Sequence, residues 1–129
     1  MPPCCDAEAV KVLADVLVIV VALLHAYFLV LEMFLWTKPQ GRKAFGLAPE
    51  FAEATKRLAA NQGLYNGFLV AGLVWGVLAG DDLRVPVLTF FLVCVIVAGV
   101  YGAATVSRRI LVVQAVPAAL ALAAVLVAG

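Results

Sequence analysis

Four apolar runs constrain this chain more than any other feature: Val12 to Trp36, Leu58 to Leu78, Val85 to Val106 and Ile110 to Ala128. Each approaches the ~20 residues that a helix rising ~1.5 Å per residue needs to cross ~30 Å of hydrocarbon. Composition agrees with them. Hydrophobic residues make up 66% of the chain and charged residues 13%, whereas soluble domains carry about 45–50% and about 25%. The expected fold is an all-α membrane protein, a four-transmembrane-helix bundle forming one domain over residues 1–129. Its helices are expected at about 12–36, 50–78, 85–106 and 110–128, with a cytosolic loop at about 37–49. The leader "MPPCCDAEAVK" has only Lys11 as a basic residue and no cleavage site follows the first run, so that run reads as a span and not as a signal peptide.

Basic residues orient the bundle. The first connection carries Lys38, Arg42, Lys43, Lys56 and Arg57, and the turn before the last helix carries Arg108 and Arg109, against Lys11 and Arg84 at the other ends. By the positive-inside rule the richer side is cytosolic, so the expectation is a multi-pass protein of the cell membrane with extracytoplasmic N and C termini. The net charge of +1 gives no reason to expect nucleic acid. Within the first connection, Pro39 and Gly41 read as turn residues and Pro49 as the first residue of the second helix.

The stretch "HAYFLVLEMFLW" places a histidine and a glutamate inside the first span. Ionisable groups there are expensive and count as functional hypotheses. With Trp36 at the interface, Glu32 lies ~6 Å and His25 ~16 Å inside, within about 20° of each other around the helix. Counting from Arg57, the second helix brings Asn61, Gln62, Tyr65 and Asn66 to depths of ~6 to ~13 Å, within an arc of about 140°. Tyr101, Thr105 and Arg108 share a stripe on the third helix, and Gln114 stands ~7 Å from Arg109 on the fourth. The expected picture is a polar layer in the cytosolic half beneath an outer half of nearly pure Val, Leu, Ala and Gly. Amides in such layers also serve as interhelical glue, worth about 0.6 kcal/mol each and up to about 2.

Metal and nucleotide motifs are absent from the sequence. His25 has no second ligand at helical spacing, Cys94 reads as a small packing residue and Cys4 and Cys5 lie in the leader, so neither a metal nor a cofactor is expected. Glu32 as general acid or base and Tyr101 as proton donor are the catalytic candidates, but the residues name no reaction. Candidate ligand contacts are His25, Glu32, Arg57, Asn61, Gln62, Tyr65, Asn66, Tyr101, Arg108 and Gln114.

Two stretches, "EMFLWTKPQGRKAFGL" and "AANQGLYNGF", resemble a bacterial family of short four-helix membrane proteins classed as a domain of unknown function. The resemblance implies the fold and the membrane location, and no reaction. A second, fainter similarity is to the membrane-associated eicosanoid and glutathione metabolism proteins, through Glu53, Arg57 and Asn61 and through Tyr101 with Arg108. Leu64 stands where that pattern has a further carboxylate, and most of its glutathione-holding basic residues are unmatched here.

Three classes of function follow. The first is a protein that binds, or binds and modifies, a small amphipathic or lipid-like molecule in the polar layer. The second is a small transporter or proton- or cation-conducting oligomer using Glu32 and His25, against which the apolar outer half argues. The third is a structural or partner-binding membrane protein assembling through the ridge Gly72, Gly76 and Gly80. A homo-oligomer in the lipid bilayer is expected in each case.

Overall fold

The computed structural model describes the backbone from residue 3 to 129 and the side chains from residue 6. Cys4 and Cys5 therefore lie outside the described side chains. The described chain is helical throughout: α1 (Pro3–Met33), α2 (Pro39–Phe45), α3 (Pro49–Leu78), α4 (Asp81–Thr105) and α5 (Val116–Ala128), the last preceded by a π-helical segment, Leu111–Ala115. Three helical stretches, Asp6–Met33, Asp81–Thr105 and Leu111–Ala128, are long and apolar enough to cross a membrane.

The residues expected to form one domain group into two compact units, Met1–Ala22 with Ala71–Gly129, and Leu23–Val70. Several boundaries differ from the sequence reading. α1 stops at Met33, three residues before Trp36, and α4 starts at Asp81 instead of Val85. The connection read as a loop holds α2. Pro39 supplies its first turn, and Gly46 ends it at φ 64°, with the Gly46 and Leu47 amides both donating to the Arg42 carbonyl. That left-handed closing residue is the commonest way to satisfy the last carbonyls of a helix.

In the first unit, α4 turns Arg84, Leu88, Leu92, Val95 and Gly99 inward at helical spacing. α5 meets this face with Ala118, Ala121 and Val125, and Ala115 of the π segment is buried beside them. The approach is backbone to backbone: a Cβ on Gly99 would lie 2.8 Å from the Ala115 nitrogen. Small residues at such crossings let helices gain dispersion contacts where lipid gives no hydrophobic drive. The π segment has a local cause. Pro117 has no N–H and its ring crowds the carbonyl four residues back, and the helix accommodates it by a wide turn in which the Val116 amide donates to the Leu111 carbonyl.

Gly72 and Gly76 pack on Phe91 and Leu88 of the same chain. Two positions of the ridge assigned to assembly are thus filled from within, and Gly80 alone is open.

A candidate carboxyl–amide site between the first and third helices

The second unit is built on a close approach of α1 and α3. Gly63 permits it: a Cβ there would come within 2.6 Å of Met33 Cγ, 3.1 Å of Glu32 Cβ and 3.2 Å of the Leu29 carbonyl oxygen. One turn on, Gly67 stands against Leu29. Between these glycines Asn66 points at α1, and its Nδ2 donates to Glu32 Oε2 at 2.7 Å. Both residues are buried, with exposures of 9% for Glu32 and 8% for Asn66. Among the described residues no cation forms an ion pair with Glu32.

His25 is fully buried, with its ring edge-on to Phe28 at 5.6 Å. It stands two turns, or about 10 Å, along α1 from Glu32.

Asn61, Gln62 and Tyr65 do not join this pair. All three are exposed, as is Arg57. The reason is the choice of inward face. Ala52, Ala59, Gly63 and Asn66 are buried in this part of α3, and their common direction lies about 100° around the helix from the centre of the polar arc. Small side chains permit the contact, so they set the face, and Asn66 is inside because it sits at the arc's edge. Register matters as well. Gly63 is level with Met33, the last residue of α1, so Asn61 and Gln62 fall at the end of the apolar span instead of ~6 Å within it.

Tyr101, Arg108 and Gln114 belong to the first unit. Tyr101 is 71% exposed, Arg108 is exposed in the turn after α4 and Gln114 is half-buried in the π segment. Thr105 donates to the Tyr101 carbonyl of its own helix at 2.7 Å. An open apolar groove of about 600 Å³ runs along α4 past Phe90, Cys94, Val97 and Tyr101.

A small cap in the second unit ties the turn after α1 to α2 and to the start of α3. Trp36 Nε1 donates to Thr55 Oγ1 at 3.0 Å, Thr55 donates to the Phe51 carbonyl, and the Trp36 ring packs on Phe45 at 5.0 Å. Gly41 lies flush on the turn that follows α1, where a Cβ would be 3.0 Å from Trp36 Cα and in collision with the Leu35 carbonyl.

The first unit holds a second polar pair that the sequence reading missed, with Arg84 buried and Asp15 half-buried. Arg84, with 6% exposure, meets Asp15 of α1 at 2.5 Å, and nearby Lys11 meets Asp81 at 3.5 Å. The pair is an exception to the expected half of nearly pure Val, Leu, Ala and Gly. A signal was available: Arg84 sits four residues before Leu88, in phase with α4's apolar stripe.

These features define a class, a small helical protein with membrane-crossing helices and a carboxyl–amide pair buried at one helix crossing. The chain belongs to the family described as "Protein of unknown function (DUF1304)", which matches residues 19–126. It is similar to the "Uncharacterized protein YpaA" of Lactococcus lactis subsp. lactis (strain IL1403), with 28% identity over 113 residues, 86% of this chain and 94% of that protein. No solved structure matches.

Proposed function

We propose that the chain is a four-span protein of the cell membrane whose Glu32–Asn66 pair receives the polar end of a small amphipathic or lipid-like molecule. The fourth span is argued from the ends of the helices. Lys11 meets Asp81 and Asp15 meets Arg84, so α1 and α4 begin at one end of the unit they share. A helix that crosses away from that end must be followed by a return crossing before Asp81, and α3, about 45 Å long, is the element with the length to make it. Gly129 packs beside Val85 near the start of α4, which supports placing the two ends of the chain on one side. The unpaired basic residues at the opposite helix ends support that side being extracytoplasmic.

Buried Glu32 carries the ligand reading. A carboxyl facing only an amide is a poor device for packing alone, since a leucine would fill the same space at lower cost. An amphipathic ligand with a hydroxyl, amide or amine end would exchange with Asn66 at the carboxylate while its tail lay along α1 and α3. The structural reading has one observation in its favour, the direct Asn66–Glu32 bond, which already satisfies one carboxyl oxygen. Homo-oligomerisation accompanies either reading, and a monomer as the only species in mild detergent refutes it.

Native mass spectrometry of the protein extracted from its own membrane, with Glu32→Ala and Glu32→Gln beside wild type, tests the site. A discrete bound molecule in the wild type that is lost from both variants supports the ligand. An identical species distribution in all three makes the pair interhelical glue and ends the ligand reading.

A further inference from the structure

We propose that α2 and the basic side chains it carries form a headgroup site for an anionic phospholipid, separate from the Glu32–Asn66 pair. Four observations carry this. α1's apolar span ends at Met33 and α2 begins at Pro39, so α2 occupies the depth at which headgroups start. The Trp36–Phe45 ring pair stands between them as an interfacial aromatic anchor.

Gly41 pins α2 against the Leu35–Trp36 turn that follows α1, and Phe45 lies about 40° from it on the same side. Arg42 and Lys43 follow at about 100° and about 200° from Gly41, so they emerge on the flank and the outer face. Lys38, just before the helix, is exposed as well.

None of these three cations has an acidic partner. Ion pairs among the described residues involve Lys11, Lys56 and Arg84 only, and Lys56 takes Glu53, the acid of α3 that bears an ion pair. Residues 37–57 hold five basic and two acidic side chains. Arg42 adds a built element: its Nε is buried and has no hydrogen-bond partner, although the side chain as a whole is half-exposed. A guanidinium whose Nε is turned away from water leaves its two terminal amino groups as the donors that can reach a phosphate. Lys38 and Lys43 then contribute point charges on either side.

The test uses the full chain carrying Trp75→Phe, which leaves Trp36 as the only tryptophan. The protein is reconstituted in phosphatidylcholine vesicles, and Trp36 quenching by brominated phosphatidylglycerol is compared with quenching by brominated phosphatidylcholine. Each basic residue near an anionic surface raises affinity about fivefold, so phosphatidylglycerol is expected to be enriched around Trp36 by at least that factor. Lys38→Gln/Arg42→Gln/Lys43→Gln should bring the two lipids to near equality, while unchanged quenching by brominated phosphatidylcholine reports that the cap is still folded. Arg42→Lys keeps the charge without the two terminal amino groups and should lose part of the preference, whereas Arg108→Gln/Arg109→Gln should lose none at Trp36. Equal quenching in the wild type, or a preference surviving the triple substitution, overturns the proposal. So does abolition of the preference by millimolar inorganic phosphate, which would make the site one for a soluble anion.

Discussion

Arg84 and Glu32, two buried charged residues of this chain, are matched in opposite ways. In the first unit Asp15 faces Arg84, a full counter-charge, beside the more exposed pair Lys11–Asp81. In the second, Glu32 faces only the neutral amide of Asn66. A buried guanidinium balanced by a carboxylate behaves as a lock: losing the carboxylate leaves a bare buried charge. A carboxyl matched to an amide is bound by one hydrogen bond and can exchange that partner for another. The difference assigns architecture to Asp15–Arg84 and leaves Glu32–Asn66 as the place where a ligand has something to gain.

That contrast can be broken by substitution. Asp15→Leu should be the most damaging single change, about 3–5 kcal/mol, because the buried Arg84 stays behind without its partner. The double change Asp15→Leu/Arg84→Leu should recover most of the loss, and unfolding midpoints in mild detergent would read both. A double variant as weak as the single one would remove the lock interpretation. Gly63→Ala comes next, at about 1–3 kcal/mol, since the added methyl meets Met33 and the Leu29 carbonyl and the helices must part. Gly80→Ala, facing open space, is the matched control and should leave the midpoint unchanged.

Asn66→Ala should cost about 0.6 kcal/mol and no more than about 2, the range of hydrogen bonds between membrane helices. A loss as large as that of Asp15→Leu would show that Glu32 depends on its amide as Arg84 does on its carboxylate, and the contrast would collapse. Trp36→Phe keeps the packing on Phe45 and removes the bond to Thr55, for about 0.5–1.5 kcal/mol. Glu32→Gln should have the smallest effect on stability, below about 1 kcal/mol, because an amide still accepts from Asn66. Its effect on bound ligand should be the largest of the series, and a thermal shift on adding the molecule found by mass spectrometry would check that separation.

Some of the site was legible in the sequence. Glu32 was singled out by its position in an apolar run, and Asn66 by its place among the polar residues of the second run. Both motifs that carry the family resemblance, "EMFLWTKPQGRKAFGL" and "AANQGLYNGF", lie in the second unit, and each contributes one side of the Glu32–Asn66 bond. Asn61, Gln62 and Tyr65 were grouped with Asn66 because periodicity gives an arc without saying which part of it faces inward. Arg84 was counted as a loop charge because hydropathy marks where an apolar run starts, whereas the helix starts earlier, at its Gly80 cap.

By itself the sequence determined that the chain is helical and that it has segments fit to cross a membrane, since length and apolarity are properties of each segment alone. It also determined that the second long helix begins at Pro49, because proline acts on its own backbone, whereas the short helix between Pro39 and Gly46 read only as a loop with turn residues. The tertiary structure decided which polar groups meet. Helix faces are selected by where two backbones can approach, as at Gly63 on α1 and Gly99 on Ala115, and that depends on the shapes of both partners at once. Asn66 therefore finds Glu32, Arg84 finds Asp15, and Asn61 and Gln62 are left at the end of the span.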